Sequence, residues 1–200
     1  MAWTTPMTFT AGNALLAAQL NEQLRDNTNY LHDVFTLYNM TSSGTPRSIT
    51  PALAGVRLYK LSDQTIADST FTNIGFAAEA FDTANSAAAS FHNTSTNTDR
   101  ITIPSGMDGY YLVGASVSFA ANTTGSRRVR IDHSTAGVIA ADTRLPVSGT
   151  LTQMSASALW YFAAGDYAYV EVQQSSGGNL AIDGTTNTYI PAFWAFRVGI

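Results

Sequence analysis

The stretch that decides the fold is Arg100-Ile-Thr-Ile-Pro-Ser-Gly-Met-Asp-Gly-Tyr-Tyr-Leu-Val-Gly-Ala, followed by Gly165-Asp-Tyr-Ala-Tyr-Val-Glu-Val-Gln-Gln and by the terminal Tyr189-Ile-Pro-Ala-Phe-Trp-Ala-Phe-Arg-Val-Gly-Ile. Each segment alternates apolar and polar residues, and Gly, Asp, Asn or Ser separate it from the next one. Alternation with a period of two places successive side chains on opposite faces of a strand. These segments therefore predict an antiparallel β sandwich.

Segments of this kind continue from residue 53 to the end of the chain. We expect strands at 54–61, 71–79, 87–92, 100–103, 109–119, 127–133, 137–143, 151–162, 166–174, 179–183 and 187–198. Many short strands at close spacing are typical of two packed sheets with jelly-roll connections. The sequence thus predicts a mainly β fold, with a jelly-roll β sandwich over residues 53–200.

Three shorter regions precede this domain. Residues 1–12 are expected to form an extended arm, because Pro6 disfavours helix. Residues 13–40 are expected to form one α-helix. Residues 41–52 contain two prolines, a glycine and several hydroxyl residues, which favour a linker.

The predicted helix has an apolar seam with alternating spacings of three and four residues, as in a coiled coil. The seam consists of Ala17, Leu20, Leu24, Asn27, Leu31, Val34 and Tyr38. A single buried Asn costs stability but fixes register and strand number, so Asn27 suits a self-associating helix. A lone amphipathic helix packed on the sandwich is the alternative.

The composition narrows the function classes. The chain has 200 residues, 45% apolar and 12% charged, with no cysteine and a net charge of −4. So few charges suit a protein packed against copies of itself, and the acidic balance gives no electrostatic footprint for nucleic acid. The one basic cluster, Arg127, Arg128 and Arg130, is interpreted as surface or interchain ion pairs. We expect no membrane span and no signal peptide, because neither the required apolar run nor a basic leader is present.

Catalytic and metal patterns are weak. His32, His92 and His133 lack metal-ligand spacing, and a triad around His92 needs an exposed serine that no motif supplies. We therefore expect no enzyme and no cofactor. Calcium stays open, with Asp99 and Asp108 as candidate oxygen ligands.

The order of the C-terminal segments resembles the trimeric jelly roll of complement-type globular heads and tumour-necrosis-factor-like ligands. The resemblance covers roughly residues 53–200 and extends to similar domains in bacteriophage structural proteins. It is carried by Gly109-Tyr-Tyr-Leu-Val-Gly-Ala, Arg128-Val-Arg-Ile, Gly165-Asp-Tyr-Ala-Tyr-Val-Glu-Val-Gln and Phe193-Trp-Ala-Phe-Arg-Val. Such domains assemble and bind, so the resemblance implies a homotrimer.

The aromatic content agrees with a trimer, because it exceeds what one small sandwich core normally accommodates. The alternative is that these rings fill the core between the sheets. The residues assigned to trimer contacts are Leu20, Leu24, Asn27, Leu31 and Val34 in the helix, and Tyr110, Tyr169, Phe193, Trp194 and Phe196 in the sandwich.

A second resemblance lies at the N-terminus, where Ala2-Trp-Thr-Thr-Pro, Gly12, Ala17-Ala-Gln-Leu-Asn and Leu24-Arg-Asp-Asn are similar to an opening module of tailed-phage virion proteins. In those proteins the module looks like an adaptor to the particle, which implies that Trp3, Pro6 and Phe9 dock on other capsid or tail proteins of the virion.

The two resemblances together imply a non-enzymatic virion protein, made in the bacterial cytoplasm, that decorates the capsid or forms a short head fibre. A tail-tip or tail-fibre protein that binds a host-surface glycan is the alternative. An enzyme acting on cell-surface polymer, with His92 as its test residue, is a third hypothesis.

Overall fold

The computed structural model describes residues 54–83, 90–184 and 190–199. They form β-strands joined by turns, and no helix among them is long and apolar enough to cross a membrane. The strands are β1 (Gly55–Tyr59), β2 (Gln64–Ile66), β3 (Thr72–Asn73), β4 (Ala78–Asp82), β5 (Arg100–Thr102), β6 (Gly109–Phe119), β7 (Arg127–His133), β8 (Gly137–Arg144), β9 (Thr152–Phe162), β10 (Tyr167–Gln174), β11 (Leu180–Ile182) and β12 (Ala192–Gly199).

The strands build two sheets. The first sheet has seven strands, six of them in the order β2-β11-β6-β12-β1-β4. The seventh strand, β9, pairs with β6 along its whole length, on the edge opposite to β11 and β12. The second sheet has five strands in the order β3-β10-β7-β8, with β5 also paired to β10. All of these strand pairs are antiparallel, and neighbours in a sheet are mostly distant in sequence, as jelly-roll connections require.

The core lies between the two sheets and follows the alternation of the long strands. On β6, the side chains from Tyr111 to Phe119 at every second position are buried, and β10 shows the same pattern from Ala168 to Val172. Burial of aliphatic and aromatic area is the main stabilising term of such a domain, at roughly 25 cal/mol per Å². Phe91, Tyr111 and Phe162 form an edge-to-face aromatic cluster at one end of the core.

The long predicted strands are found in the structure at nearly the predicted bounds. The predictions 109–119 and 127–133 coincide with β6 and β7, while 137–143, 151–162 and 166–174 differ by one residue from β8, β9 and β10. The prediction of one strand over 71–79 is wrong, because the chain there crosses from β3 in the second sheet to β4 in the first. Ile74 N still bonds to Val170 O on β10, whereas Phe76 N bonds to Thr98 O, so the chain leaves the second sheet after Ile74.

Other predicted segments were less accurate or lie outside the described residues. Of the predicted strand 87–92, residues 90–92 are not strand and the rest are not described, while the short strand β2 was not predicted. The arm at 1–12, the helix at 13–40 and the linker at 41–52 also lie outside the described residues, together with Trp3, Pro6, Phe9, Leu20, Leu24, Asn27, Leu31 and Val34.

The interpretation of the basic cluster as ion pairs is wrong for Arg127. This side chain points into the sandwich and is fully buried, and within the described part of the chain it contacts no carboxylate. Its guanidinium instead donates to the backbone oxygens of Asn122, Thr124 and Ser126 at 2.9–3.1 Å. Arg127 therefore ties the β6–β7 loop to the core. Arg130 does form ion pairs with acidic side chains.

The buried hydroxyl of Tyr111 gives a prediction for alkaline pH. It donates to Met107 O at 2.6 Å, and burial raises the pKa of Tyr111 from 10.0 to about 12. As the pH rises above 10, the unfolded state therefore loses this proton before the folded state does. Stability then falls between pH 10 and pH 12, by up to about 1.4 kcal/mol per pH unit from this group.

Tyr111→Phe is expected to remove that contribution. Urea unfolding at pH 8 should show a loss of about 1 kcal/mol, because Met107 O loses its donor. The difference in stability between the native chain and the variant should shrink and then change sign as the pH rises from 10 to 12. Tyr110→Phe, an exposed neighbour, is the control and should change neither value by much. A constant difference across that pH range would contradict the assignment.

Candidate functional site

The outer face of the first sheet carries a continuous layer of aromatic and aliphatic side chains, which we name the aromatic face. It consists of Phe81, Tyr110, Leu112, Leu159, Tyr161, Trp194 and Phe196. The exposed fraction reaches 60% for Leu159 and 48% for Tyr110, while Trp194 and Phe196 are half-buried. Large apolar side chains are thus left in contact with solvent across four strands of this sheet.

Strand register assembles the aromatic face. Tyr110 lies opposite Tyr161, and their rings meet edge to face with centroids 5.4 Å apart. Leu112 lies opposite Leu159 on one side and Phe196 on the other. Because residues directly opposite in antiparallel strands point to the same face, these side chains form rows across the sheet. The Phe196 ring also contacts Phe81 on β4, with centroids 5.8 Å apart.

Two glycines let the largest rings lie flat on the sheet. Trp194 is opposite Gly114, and a Cβ added to Gly114 would lie 2.3 Å from the indole Cζ2. A Cβ added to Gly55 would likewise lie 2.6 Å from Cδ1 of Phe196. The missing side chains therefore make room for the two rings against the strands.

The two outer faces of the sandwich differ in charge. Among the described strands, Arg57 on β1 is the charged residue in the rows that form the aromatic face, where it lies opposite Trp194 on one side and Phe81 on the other. On the second sheet, the outer face carries Arg100, Arg130 and Glu171 beside the rings of Tyr167 and Tyr169. Only 12% of the residues in this chain are charged, and the outer face of the second sheet carries more of them than the aromatic face does.

The sandwich residues assigned to trimer contacts fall in three places. Tyr110, Trp194 and Phe196 lie together on the aromatic face. Phe193 is fully buried between the sheets, 5.7 Å from the Phe76 ring, so we assign it to the core of the single chain instead. Tyr169 lies on the outer face of the second sheet, where burial and the nearby carboxylates raise its pKa.

Sequence reasoning missed Phe81, Leu112 and Leu159 as members of this face. The alternation of β6 and β9 could have revealed two of them, because residues two positions apart in a strand point to the same face. Leu112 is two residues from Tyr110, and Leu159 is two residues from Tyr161. Phe81 gave no such signal, since a register shift between β1 and β4 decides where its side chain lies.

Further along β6 and β9 the same face becomes polar. Ser116 lies opposite Ser155, and Ser118 lies opposite Gln153. These residues line a shallow groove of about 260 Å³ together with Arg144 and Ile190. The groove marks the boundary of the apolar layer.

Catalytic residue types meet at one point without forming a triad. His133 Nε2 lies 3.4 Å from Asp166 Oδ2, and Ser134 Oγ contacts Asp166 Oδ1 at 3.3 Å. A nucleophilic serine must contact the histidine, which in turn is oriented by the acid. Here His133 Nδ1 instead accepts from the backbone N–H groups of Thr135 and Ala136. The cluster orders the turns between strands.

The environment of His92, the residue from which a triad could be drawn, is also structural. The side chain is buried, with Nδ1 2.8 Å from Glu79 Oε1 and Nε2 3.4 Å from Thr98 O. Its backbone N–H donates to Asp82 Oδ2. No serine hydroxyl contacts His92 among the residues that the structure describes, so both ring nitrogens serve to join neighbouring segments.

The acidic residues considered for calcium do not gather. Within 54–83, 90–184 and 190–199, no three His, Cys, Asp or Glu side chains come close enough to hold a metal ion. Burial alone would raise the pKa of Asp99, but hydrogen bonds from Asn73 Nδ2 at 2.8 Å and from Arg100 lower it overall. The carboxylate of Asp99 is thus engaged within the fold.

Comparison with known proteins identifies the fold. No protein-family model and no curated protein sequence matches the chain. Eiger TNF from S. frugiperda superposes with a TM-score of 0.54 and 9% identity, over 74% of this chain and 94% of that one. Murine APRIL gives 0.52 and 12%, over 72% and 98%. The globular domain of zebrafish complement 1qA gives 0.49 and 12%, over 72% and 97%.

At these identities the likeness concerns the fold alone. The described part of the chain is a TNF-like jelly roll of two antiparallel sheets, which confirms the predicted fold class.

Proposed function

We propose that this chain is a non-enzymatic surface protein of a bacteriophage virion that assembles as a homotrimer through the aromatic face. The observation that carries the assembly is the exposed apolar layer from Phe81 to Tyr161 across β4, β12, β6 and β9. Monomeric proteins rarely leave a large contiguous apolar patch in water, so such a face is typical of an interface.

Copies of this chain are the partners that fit the face best. It carries few charges and is rich in Tyr, Trp and Phe, residues that are enriched in interfaces. Closed symmetry lets identical chains bury such a layer around one axis without leaving an apolar edge. The resemblance of residues 53–200 to trimeric jelly rolls makes three the expected number.

The virion role rests on the N-terminal resemblance. The segments Ala2-Trp-Thr-Thr-Pro and Leu24-Arg-Asp-Asn are similar to the adaptor of tailed-phage virion proteins. Trp3, Pro6 and Phe9 are the proposed contacts to other virion proteins, because buried aromatic residues give most of the affinity in such interfaces. The proposed trimer-register residues of the helix remain Leu20, Leu24, Asn27, Leu31 and Val34.

The described turns favour capsid decoration over receptor binding. The β6–β7 loop at 120–126 is made of Ala, Asn, Thr, Gly and Ser, and the large exposed residues of the β8–β9 loop are aliphatic, Leu145 and Val147. Sugar rings commonly stack on aromatic side chains, and within the described ranges the exposed aromatic residues lie on strands instead. A tail-fibre protein that binds a host glycan remains the second candidate.

Two measurements test the proposal at its two levels. Light scattering of the full chain should give three times the chain mass of 21.3 kDa, and a monomer would exclude the assembly. Immunogold electron microscopy of intact particles, with antibody raised to residues 53–200, should place gold over the heads. Gold at the tail would favour the receptor-binding alternative, and particles without gold would contradict the virion role.

A further inference from the structure

A second groove lies on the outer face of the second sheet, on β7 and β8. It has a volume of about 230 Å³. We name it the arginine groove and define it by the side chains of Phe71, Arg128, Arg130, Val138, Ala141 and Thr143. It belongs to the other sheet from the aromatic face and shares no residue with it.

Register and a bulge build the groove. Arg128 lies opposite Thr143, and Arg130 lies opposite Ala141. The pairing then shifts by one residue, so that Asp132 lies opposite Val138. An extra residue in one strand changes which side chains share a face. The shift therefore brings Val138 onto the same face as Ala141, where the small Ala141 side chain leaves a hollow between two arginines.

Arg130 is already engaged at one wall of the groove. Its guanidinium stacks over the Phe71 ring, 3.7 Å from the centroid. It also contacts two carboxylates, through Nε to Glu171 Oε2 at 2.7 Å and through Nε to Asp132 Oδ2 at 3.0 Å. Opposite charges at these distances balance its positive charge. Arg130 therefore acts as a fixed, neutralised wall.

Arg128 differs because its described contacts are with neutral groups. Nε lies 3.3 Å from Thr143 Oγ1, and Nη1 lies 3.5 Å from Gln173 Oε1. The other arginines of this sheet's surface each contact a carboxylate: Arg100 contacts Asp99, Arg130 contacts Glu171, and Arg144 contacts Asp142. Among the residues that the structure describes, Arg128 is thus an exposed cation at the groove without a carboxylate partner.

We propose that the arginine groove binds a carboxylate-bearing sugar unit. Arg128 holds the carboxylate, because a guanidinium presents paired donors that match two carboxylate oxygens. Thr143 Oγ1 accepts a hydrogen bond from a ring hydroxyl. Val138 and Ala141 pack against the apolar face of the ring. A volume of about 230 Å³ is below the roughly 300–1,000 Å³ of sites for larger ligands, so the groove fits a single ring.

Saturation-transfer NMR with three small probes tests the proposal on the full chain. D-glucuronate should bind at least about tenfold more tightly than D-glucose, which lacks the carboxylate, as expected for one charge-assisted hydrogen-bonded pair. It should also bind more tightly than acetate, which lacks the ring. Equal binding of glucuronate and acetate, or the absence of saturation transfer to glucuronate, would overturn the sugar assignment.

Three variants locate the binding. Arg128→Gln removes the carboxylate partner, and Ala141→Leu fills the hollow without changing charge, so both should weaken glucuronate binding at least about tenfold. Arg100→Gln removes the same charge at another place on the same sheet and should leave binding unchanged. An equal loss in Arg100→Gln would show a general charge effect and overturn the site. Light scattering on each variant separates this result from the proposed trimer, on which the groove does not depend.

Discussion

Replacing Leu112 by arginine is expected to convert the proposed trimer into monomers. Leu112 lies on the central strand β6, between Phe196 on β12 and Leu159 on β9, so its side chain is surrounded by the aromatic face. A trimer interface on this face would bury the new guanidinium without a carboxylate partner. An uncompensated buried charge costs about 3–5 kcal/mol. The substitution also removes the contribution of the buried leucine side chain to association.

Light scattering and sedimentation of Leu112→Arg should therefore give the mass of one chain, 21.3 kDa, at concentrations where the native chain is expected to give three times that mass. The circular dichroism of the variant should remain that of a β protein, because a partly exposed position on the outer face tolerates arginine in the monomer. A folded variant that stays trimeric would show that the chains assemble through another surface.

Val138→Arg is the matched control for this experiment. Val138 has an exposed fraction of 50%, comparable with 42% for Leu112, but it lies on the outer face of the second sheet. The same change of an exposed aliphatic residue into arginine should leave the trimer intact there. Loss of assembly in both variants would show that an added charge dissociates the chains wherever it is placed, and would contradict the assignment of the interface to the aromatic face.

The sequence was sufficient to predict the two-sheet sandwich, because its long strands carry the pattern that decides pairing. β6 and β10 alternate buried and exposed residues with few exceptions, and turns with Gly or Asp bound them. The strands β2 and β3 have three and two residues, too few for a period to be recognised. Their positions are decided by contacts with β11 and β10, which are distant in sequence.

The candidate site could be predicted only in part. Phe193, Trp194 and Phe196 are close in sequence, yet alternation places Phe193 in the core and the other two rings outside. The alternation along the strand separates Phe193 from Trp194 and Phe196, but it does not say which of the two groups faces the core. Tyr169 was grouped with them because of its residue type. Only the topology shows that β10 belongs to the other sheet.

Arg127→Ala is expected to cause the largest loss of stability of the substitutions considered. The fully buried guanidinium of Arg127 donates to the backbone oxygens of Asn122, Thr124 and Ser126. In the alanine variant the oxygens of Asn122 and Thr124 lose this donor beside a new cavity, while Ser126 O keeps the N–H of Ser175 as a donor. Burial also lowers the pKa of Arg127, in keeping with a cation that has no carboxylate partner. We expect a loss of about 3–5 kcal/mol.

Thermal and urea unfolding measure that loss, and for a domain of this size the melting temperature should fall by roughly 10 °C. Arg127→Met separates the two causes, because methionine fills much of the volume but supplies no donors. Its loss should be smaller than that of alanine and still well above 1 kcal/mol, since the oxygens of the β6–β7 loop stay unpaired.

The neighbouring Arg128→Ala provides the control for position and charge. Arg128 is exposed on the same strand, and its contacts with Thr143 and Gln173 are long, so its removal should change stability by no more than about 0.5 kcal/mol. The two adjacent arginines then differ in their effect because strand alternation sends one inward and the other outward. Equal losses for both variants would contradict the role of Arg127 in fixing the loop. A loss confined to Arg127 would show that this buried cation is part of the core although the sequence presents it as one of a charged cluster.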